Sequence, residues 1–254
     1  MQGNFLFLGT GASLGVPIIG CECKTCLSSA TEDKRSRPAG LITIGDKQIL
    51  LDVGPDFRNQ ALTHNINQID GLILTHSHYD HIAGLDDLRP FHFKTKKAIP
   101  TLLNKETLKE IRKAYHYLFK GEMFDFQLAE EDFGFLEFEG IKMQAITYFQ
   151  GKMKILGIRI GSFAYLSDIK DYSPEIFPAL KGVETLIISA LRHTHSPVHF
   201  SVDEAIAFSQ KIGAKKTYFT HIAHDLHYAS TELPEGIFLS TDGLTIPFNG
   251  AQSG

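Results

Sequence analysis

Three histidines and an aspartate fall within six residues, as His76, His78, Asp80 and His81, directly behind the apolar run Gly71-Leu72-Ile73-Leu74. The run reads as a short buried strand, and Thr75 takes the chain out of it. Imidazoles and carboxylates need partners once buried, so packing alone makes such a cluster costly. A divalent metal ion makes it favourable. In extended or turning backbone, His76 and His78 project to the same side, because side chains alternate with a period of two, and they can share one ion. Asp80 and His81 follow a bend and can serve a second ion close by. Imidazole nitrogen and carboxylate oxygen suit zinc, manganese or iron, and the motif does not choose among them.

The chain has 254 residues, 43% of them hydrophobic and 21% charged, enough for one large α/β domain or two small ones. Its 25 basic and 29 acidic residues leave a net charge of -4, so no general basic field invites nucleic acid. No apolar run approaches the roughly 20 residues that a membrane span needs. Met1-Gln2-Gly3-Asn4 runs into the strand-like Phe5-Leu6-Phe7-Leu8 with no basic segment, so no signal peptide is expected. Three cysteines crowded into six positions make a poor disulfide framework. A cytoplasmic protein with neither a membrane nor a nucleic-acid partner is expected.

No linker, low-complexity tract or fixed-period repeat divides the chain, and residues 1–254 read as one domain. Leu41 to Ile44 and Gln48 to Leu51 flank the turn signal Gly45-Asp46-Lys47. Helices are expected over Pro55 to His64 and Glu106 to Phe119. Later strands are expected over Met143 to Thr147, Ile155 to Ile160, Phe163 to Leu166, Leu186 to Ser189 and Thr217 to Thr220. Ser173 and Pro174 suit a helix start and Gly182 its end. Ser201-Val202-Asp203-Glu204 is a capping box, with Gly213 terminating that helix. Hairpins with interspersed helices point to sheets covered by helices. The aromatic-rich segment from about 91 to 135 fits either a lid-like insertion over the site or helix faces packed on the core.

The metal motif has the HxHxDH form of the metallo-β-lactamase superfamily, and it follows a strand as in that superfamily. Around it stand Phe7-Leu8-Gly9-Thr10-Gly11, Cys21-Glu22-Cys23-Lys24-Thr25-Cys26 and Leu51-Asp52-Val53-Gly54-Pro55. Ala164-Tyr165-Leu166-Ser167-Asp168, His199-Phe200-Ser201 and Thr220-His221-Ile222-Ala223-His224 follow. This combination, spread over nearly the whole chain, resembles the PhnP-like branch. The resemblance implies an αβ/βα sandwich with two mixed sheets, and a hydrolase with two divalent ions (manganese or zinc) at the sheet edge. It assigns His76 and His78 to the first ion, Asp80, His81 and His221 to the second, and Asp168 to both. Asp52 would support these groups through hydrogen bonds. His199 would protonate the leaving oxygen, since an imidazole titrates near neutrality. Arg192 and His195 are nearby candidates for substrate binding, Arg192 by bidentate pairing with phosphate.

Cys21, Cys23 and Cys26 (the loop over about 20–26) offer three soft thiolates to one tetrahedral ion, which needs a fourth donor. The resemblance implies a structural zinc there, with His224 as that donor. One position departs from the pattern: aligned on Gly157, Gln150 stands where the superfamily has a histidine. A carboxamide oxygen is a weaker zinc donor than imidazole. Two readings of different class follow. One is a phosphodiesterase acting on a small cyclic phosphate or nucleotide-like diester, a homodimer being compatible with it. The other is a metal-binding scaffold with a weak first site and little catalysis. A tRNA 3′-processing nuclease shares the motif but would carry a Lys-rich gripping arm, which is not evident. The pyrroloquinoline-quinone biosynthesis B protein shares the cysteine motif. A lactonase or thioesterase would need His199 less.

Overall fold

The computed structural model describes residues 2–250. Its strands are β1 (Gln2–Gly9), β2 (Ala39–Ile44), β3 (Lys47–Leu51), β4 (Gly71–Ile73), β5 (Ile99–Leu103), β6 (Phe124–Leu128), β7 (Phe135–Phe138), β8 (Ile141–Gln150), β9 (Met153–Ile160), β10 (Phe163–Leu166), β11 (Thr185–Ser189), β12 (Lys216–Thr220), β13 (Ile237–Leu239) and β14 (Thr245–Asn249). They form two seven-stranded mixed sheets, ordered β14-β1-β2-β3-β4-β5-β6 and β13-β12-β11-β10-β9-β8-β7. In each sheet antiparallel hairpins give way to parallel strands: β3 to β6 in the first, β10 to β13 in the second. Ligand sites in such sheets gather beyond the carboxyl ends of parallel strands. All the candidate site residues from Asp52 to His224, Gln150 and His199 apart, lie just past such ends.

The helices are α1 (Lys24–Leu27), α2 (Phe57–Thr63), α3 (Tyr79–Ile82), α4 (Arg89–Thr95), α5 (Lys105–Ala114), α6 (Ile176–Leu180) and α7 (Val202–Ile212). Between the sheets Phe5, Ile42, Ile49 and Ile73 meet Ile158, Phe163, Tyr165 and Ile187. Phe5 is fully buried, with its ring centroid 5.6 Å from both Phe163 and Tyr165. Each such ring contributes roughly 1.5–3 kcal/mol by burial. Gly40 is required beside it, because a Cβ there would lie 2.2 Å from the Phe5 ring. Outside the sheets, α2 and α5 cover Leu50 and Leu72, while α6 and α7 cover Leu186 and Phe219. The layers are therefore helix, sheet, sheet, helix: the αβ/βα sandwich.

The expected strands are present, unchanged at Phe163–Leu166 and five residues longer at Ile141–Gln150. The capping box is complete: Ser201 Oγ accepts from Glu204 N, Glu204 Oε2 accepts from Ser201 N, and Gly213 ends α7 at φ 79°. Two helix boundaries need correction, the first being α5, expected to reach Phe119 and ending at Ala114. The helix expected from Ser173 starts later, at Ile176, after a turn in which Ser173 O and Pro174 O accept from Ile176 and Phe177. Of its two expected forms, the segment from 91 to 135 takes the second, packed on the core. It builds β5 and β6, which extend the first sheet, and Phe91, Tyr115, Phe119, Phe124 and Phe126 pack on the core. Parallel pairing of β6 with β5 through Leu103 and Leu128 is a long-range contact that local pattern does not reveal. Among the described residues no helix is long and apolar enough to cross a membrane.

Candidate metal centre

Three residues of the centre leave their strands in the left-handed region: Asp52 after β3 (φ 59°), Asp168 after β10 (φ 58°) and His221 after β12 (φ 55°). Such backbone costs a non-glycine residue roughly 1–2 kcal/mol. Here it turns each side chain off its strand end towards the same cleft, which is where strain is usually tolerated. Glycines allow the turn holding Asp80 and His81 to dock. A Cβ on Gly54 would sit 2.1 Å from Asp80 O, and one on Gly84 would sit 2.3 Å from Gly54 O.

Asp52 is fully buried and organises two histidines. Its carboxylate accepts from His81 Nδ1 (2.7 Å), Thr75 N (2.8 Å) and Thr75 Oγ1 (2.8 Å). Thr75 Oγ1 spends its one hydrogen on Asp52, so it accepts from His76 Nδ1 at 2.9 Å. Both rings therefore turn Nε2 inward. His81 Nε2 is buried without a hydrogen-bond partner, yet stands 3.2 Å from Asp168 Oδ2 and 3.4 Å from Asp80 Oδ2. Left neutral, this nitrogen would aim a lone pair at two carboxylates, so it needs either a proton or a divalent ion between them, and the imidazole and carboxylate donors fit the ion. Replacing Asp52 by asparagine is expected to weaken metal binding and lower activity by about 10–100-fold, because the ring partner loses its charge and can turn its amide the wrong way. Metal titration of the variant checks this; unchanged affinity would show that Asp52 does not set these rings.

Asp168 and Asp80 face a shared partner. His221 Nε2 lies 3.1 Å from Asp168 Oδ1 and 3.3 Å from Asp80 Oδ2. Burial works against charge on His81 and His221, but the carboxylates around them raise both above the usual imidazole range. Burial likewise opposes ionisation of Asp168 and Asp80, and His221 and His81 hold both well below the usual carboxylate range. Burial, then the positive neighbour His81, pushes His76 well down, so it stays neutral and free to donate a lone pair. His76 Nε2 is 3.0 Å from His78 Nδ1. One donor atom each from His76, His81 and Asp168, from Asp80, His81 and His221, and from Asp168, His199 and His221 lie within 4.8 Å of one another. The sets overlap pairwise, the first and third through Asp168, the first and second through His81, and the second and third through His221.

His199 lies at the rim, its side chain 14% exposed and its Nδ1 3.4 Å from Asp168 Oδ1. Burial lowers it to about 4, with the Asp168 carboxylate opposing that shift. Gln150 closes β8 and turns its amide nitrogen to His199 Nε2 at 2.9 Å. His195 is exposed, Arg192 is half-buried with Nε unpartnered, and neither makes a hydrogen bond or ion pair with the cluster among the described residues. Three contributors escaped the sequence reading. Besides the Thr75 relay, Ser167 Oγ donates to Asp168 Oδ2 at 2.6 Å, and Tyr148 Oη donates to Ser167 O at 2.7 Å. Ser167 was visible as the neighbour of Asp168; nothing local singles out Tyr148.

A second cluster stands beside the first. His224 Nδ1 is 3.3, 3.4 and 3.6 Å from the sulfurs of Cys21, Cys23 and Cys26. The Cys26 N–H lowers the Cys23 thiol to about 6, whereas burial raises Cys26 to about 11. The donor set of three sulfurs and one imidazole fits tetrahedral zinc. Fully buried Arg35 sews the two loops together, donating to Ala223 O (3.2 Å) and Leu226 O (2.8 Å) on either side of His224.

Two mixed sheets with histidines and aspartates converging at their shared rim define a hydrolase of the metallo-β-lactamase fold. The chain belongs to the beta-lactamase superfamily, whose domain matches residues 47–222. Within it the crystal structure of a diphosphatase from the PhnP family is 37% identical, with a TM-score of 0.91 over 98% of each chain. The zinc-bound PqqB structure from Methylobacterium extorquens shares the fold at 18% identity, with a TM-score of 0.80 over 96% of this chain and 99% of that one. A Porphyromonas gingivalis protein named octanoyltransferase is 36% identical over 250 residues, which are 94% of this chain. This chain spans about half the length of that curated relative.

Proposed function

We propose that the protein is a metal-dependent phosphodiesterase acting on a small cyclic phosphate or a nucleotide-like diester, including one bridged by diphosphate. The observation that carries this reading is His199, a histidine held against Asp168 at the rim of a centre that already has its donors in His76, His78, Asp80, His81, Asp168 and His221. When bound, divalent ions supply Lewis acidity to a phosphoryl oxygen and make water a stronger nucleophile. Asp52 and Thr75 keep the imidazole lone pairs of His81 and His76 directed inward, and Ser167 holds Asp168. Phosphodiester cleavage expels an alkoxide, and a ring N–H of His199 donates its proton to that oxygen. The phosphate anion beside the ring favours its protonated form against the effect of burial. The 37% identity to a PhnP-family diphosphatase supports the phosphoryl chemistry.

The test is turnover of cyclic nucleotides, ribosyl cyclic phosphates and diphosphate-bridged dinucleotides at saturating Mn²⁺ or Zn²⁺. Cleavage of a diester is expected; inactivity on every member, with one catalytic ion per chain, would leave only a metal-binding scaffold. His199→Ala is expected to slow alkoxide leaving groups by about 10²–10⁴-fold and a nitrophenolate leaving group far less. Equal losses on both would remove His199 from the proton transfer. A second reading, hydrolysis of an acyl ester, is favoured by the name of the Porphyromonas relative, whose shared half includes this fold. An octanoyl thioester is the arm of the panel that tests it.

A further inference from the structure

Gln150 ends β8 opposite Met153 and is 7% exposed. Its Nε2 lies 2.9 Å from His199 Nε2 and 3.3 Å from Nδ1. The His199 ring is thus held by three neighbours: the Gln150 amide, Asp168 Oδ1 at 3.4 Å, and the His221 ring stacked at 4.9 Å. The other end of the same amide, Gln150 Oε1, is buried and has no hydrogen-bond partner. An unpaired buried carbonyl costs about 1–3 kcal/mol, so a buried side chain keeps one only where something else can meet it. Turning the amide over would leave its N–H groups buried and unpaired instead. A cation accepts the oxygen and rejects the N–H.

We propose that Gln150 is a positioning residue that couples His199 to the ion held by His76 and His78. Its N–H orients the His199 ring, and its carbonyl oxygen completes that ion's donors as a neutral, weak ligand. The inference rests on the two-ion reading above and adds an asymmetry to it. The ion served by Asp80, His81, His221 and Asp168 has two carboxylates and two imidazoles. The ion served by His76 and His78 shares Asp168 and receives only an amide oxygen in addition, so it binds more weakly. Loading of that weaker position and alignment of the proton donor then depend on one side chain.

Mn²⁺ binding to the protein, with the cysteine site filled by zinc, is followed by the electron paramagnetic resonance of the free ion. Two steps separated by at least about tenfold in Kd are expected for the natural sequence. Gln150→His should bring the two steps together, and Gln150→Ala should weaken only the second. Gln150→Glu should keep the second ion while losing the N–H to His199. The ¹⁵N resonances of the His199 ring in the metal-free protein should therefore shift in both the Glu and Ala variants. Two equal steps in the natural sequence, or a Gln150→Ala variant with unchanged steps and unchanged His199 resonances, would overturn the coupling while leaving the hydrolase reading intact. A single step in both the natural sequence and Gln150→His would instead defeat the two-ion reading itself.

Discussion

Replacing Asp168 by alanine is expected to lower the rate of phosphodiester hydrolysis by on the order of 10³-fold or more and to strip metal from the centre. The size of the effect follows from position. Asp168 is 1% exposed and its two oxygens serve different partners: Oδ2 lies 3.2 Å from His81 Nε2, and Oδ1 lies 3.1 Å from His221 Nε2 and 3.4 Å from His199 Nδ1. Removing it takes away the one donor common to both ion positions and the anion beside the proton donor. Asp168→Asn keeps the shape and loses the charge, so it should fail almost as badly. Metal content per chain and kcat/KM at saturating Mn²⁺ measure both effects together. A variant within tenfold of the natural rate, with its metal retained, would show that the ions are held elsewhere.

Cys23→Ser should have the largest effect on stability. Serine removes a thiolate that the Cys26 N–H makes available near neutral pH, from a cluster in which three sulfurs lie within 3.6 Å of His224 Nδ1. Zinc bound to such sets contributes folding free energy directly, because the site does not exist in the unfolded chain. A loss of about 3–5 kcal/mol corresponds to a fall in Tm of roughly 10 °C or more for a chain of this size. One equivalent of zinc should be lost with it. The catalytic centre should weaken as well, since His224 and His221 share one loop that Arg35 and the backbone pairs Ala12 N to Ile222 O and Ile222 N to Thr10 O tie to the N-terminal segment. Unchanged zinc content and melting temperature would remove the zinc assignment.

The two clusters differ in how far they could be read from sequence. Four of the catalytic donors stand within His76 to His81, and three of the zinc donors within Cys21 to Cys26, so their chemistry is visible at short range. Asp168 and His221 could be recognised because each follows an apolar strand in a familiar motif. Thr75 was visible only as a strand end, because its role appears when β3 and β4 pair and bring Asp52 beneath it. Arg192 and His195 are suitable residue types near His199 in sequence, and neither makes a hydrogen bond or ion pair with the cluster among the described residues. For the aromatic segment from 91 to 135, local pattern left two forms open. Its rings do not alternate regularly, and their burial depends on β5 and β6 joining the first sheet.

Sequence by itself determined that the chain binds divalent metal, that the donors sit at strand ends, and that a second thiolate-rich site stands apart. These follow from residue types whose burial is unfavourable without an ion. Only the tertiary structure decided which tautomer each histidine presents, that Asp52 reaches His76 through Thr75, and that Gln150 grips His199 while its own carbonyl stays unpaired. Hydrogen bonds of 2.7 to 2.9 Å between residues 29 to 49 positions apart, Asp52 to His81 and Gln150 to His199, are set by the register and packing of whole sheets. No local spacing carries that information.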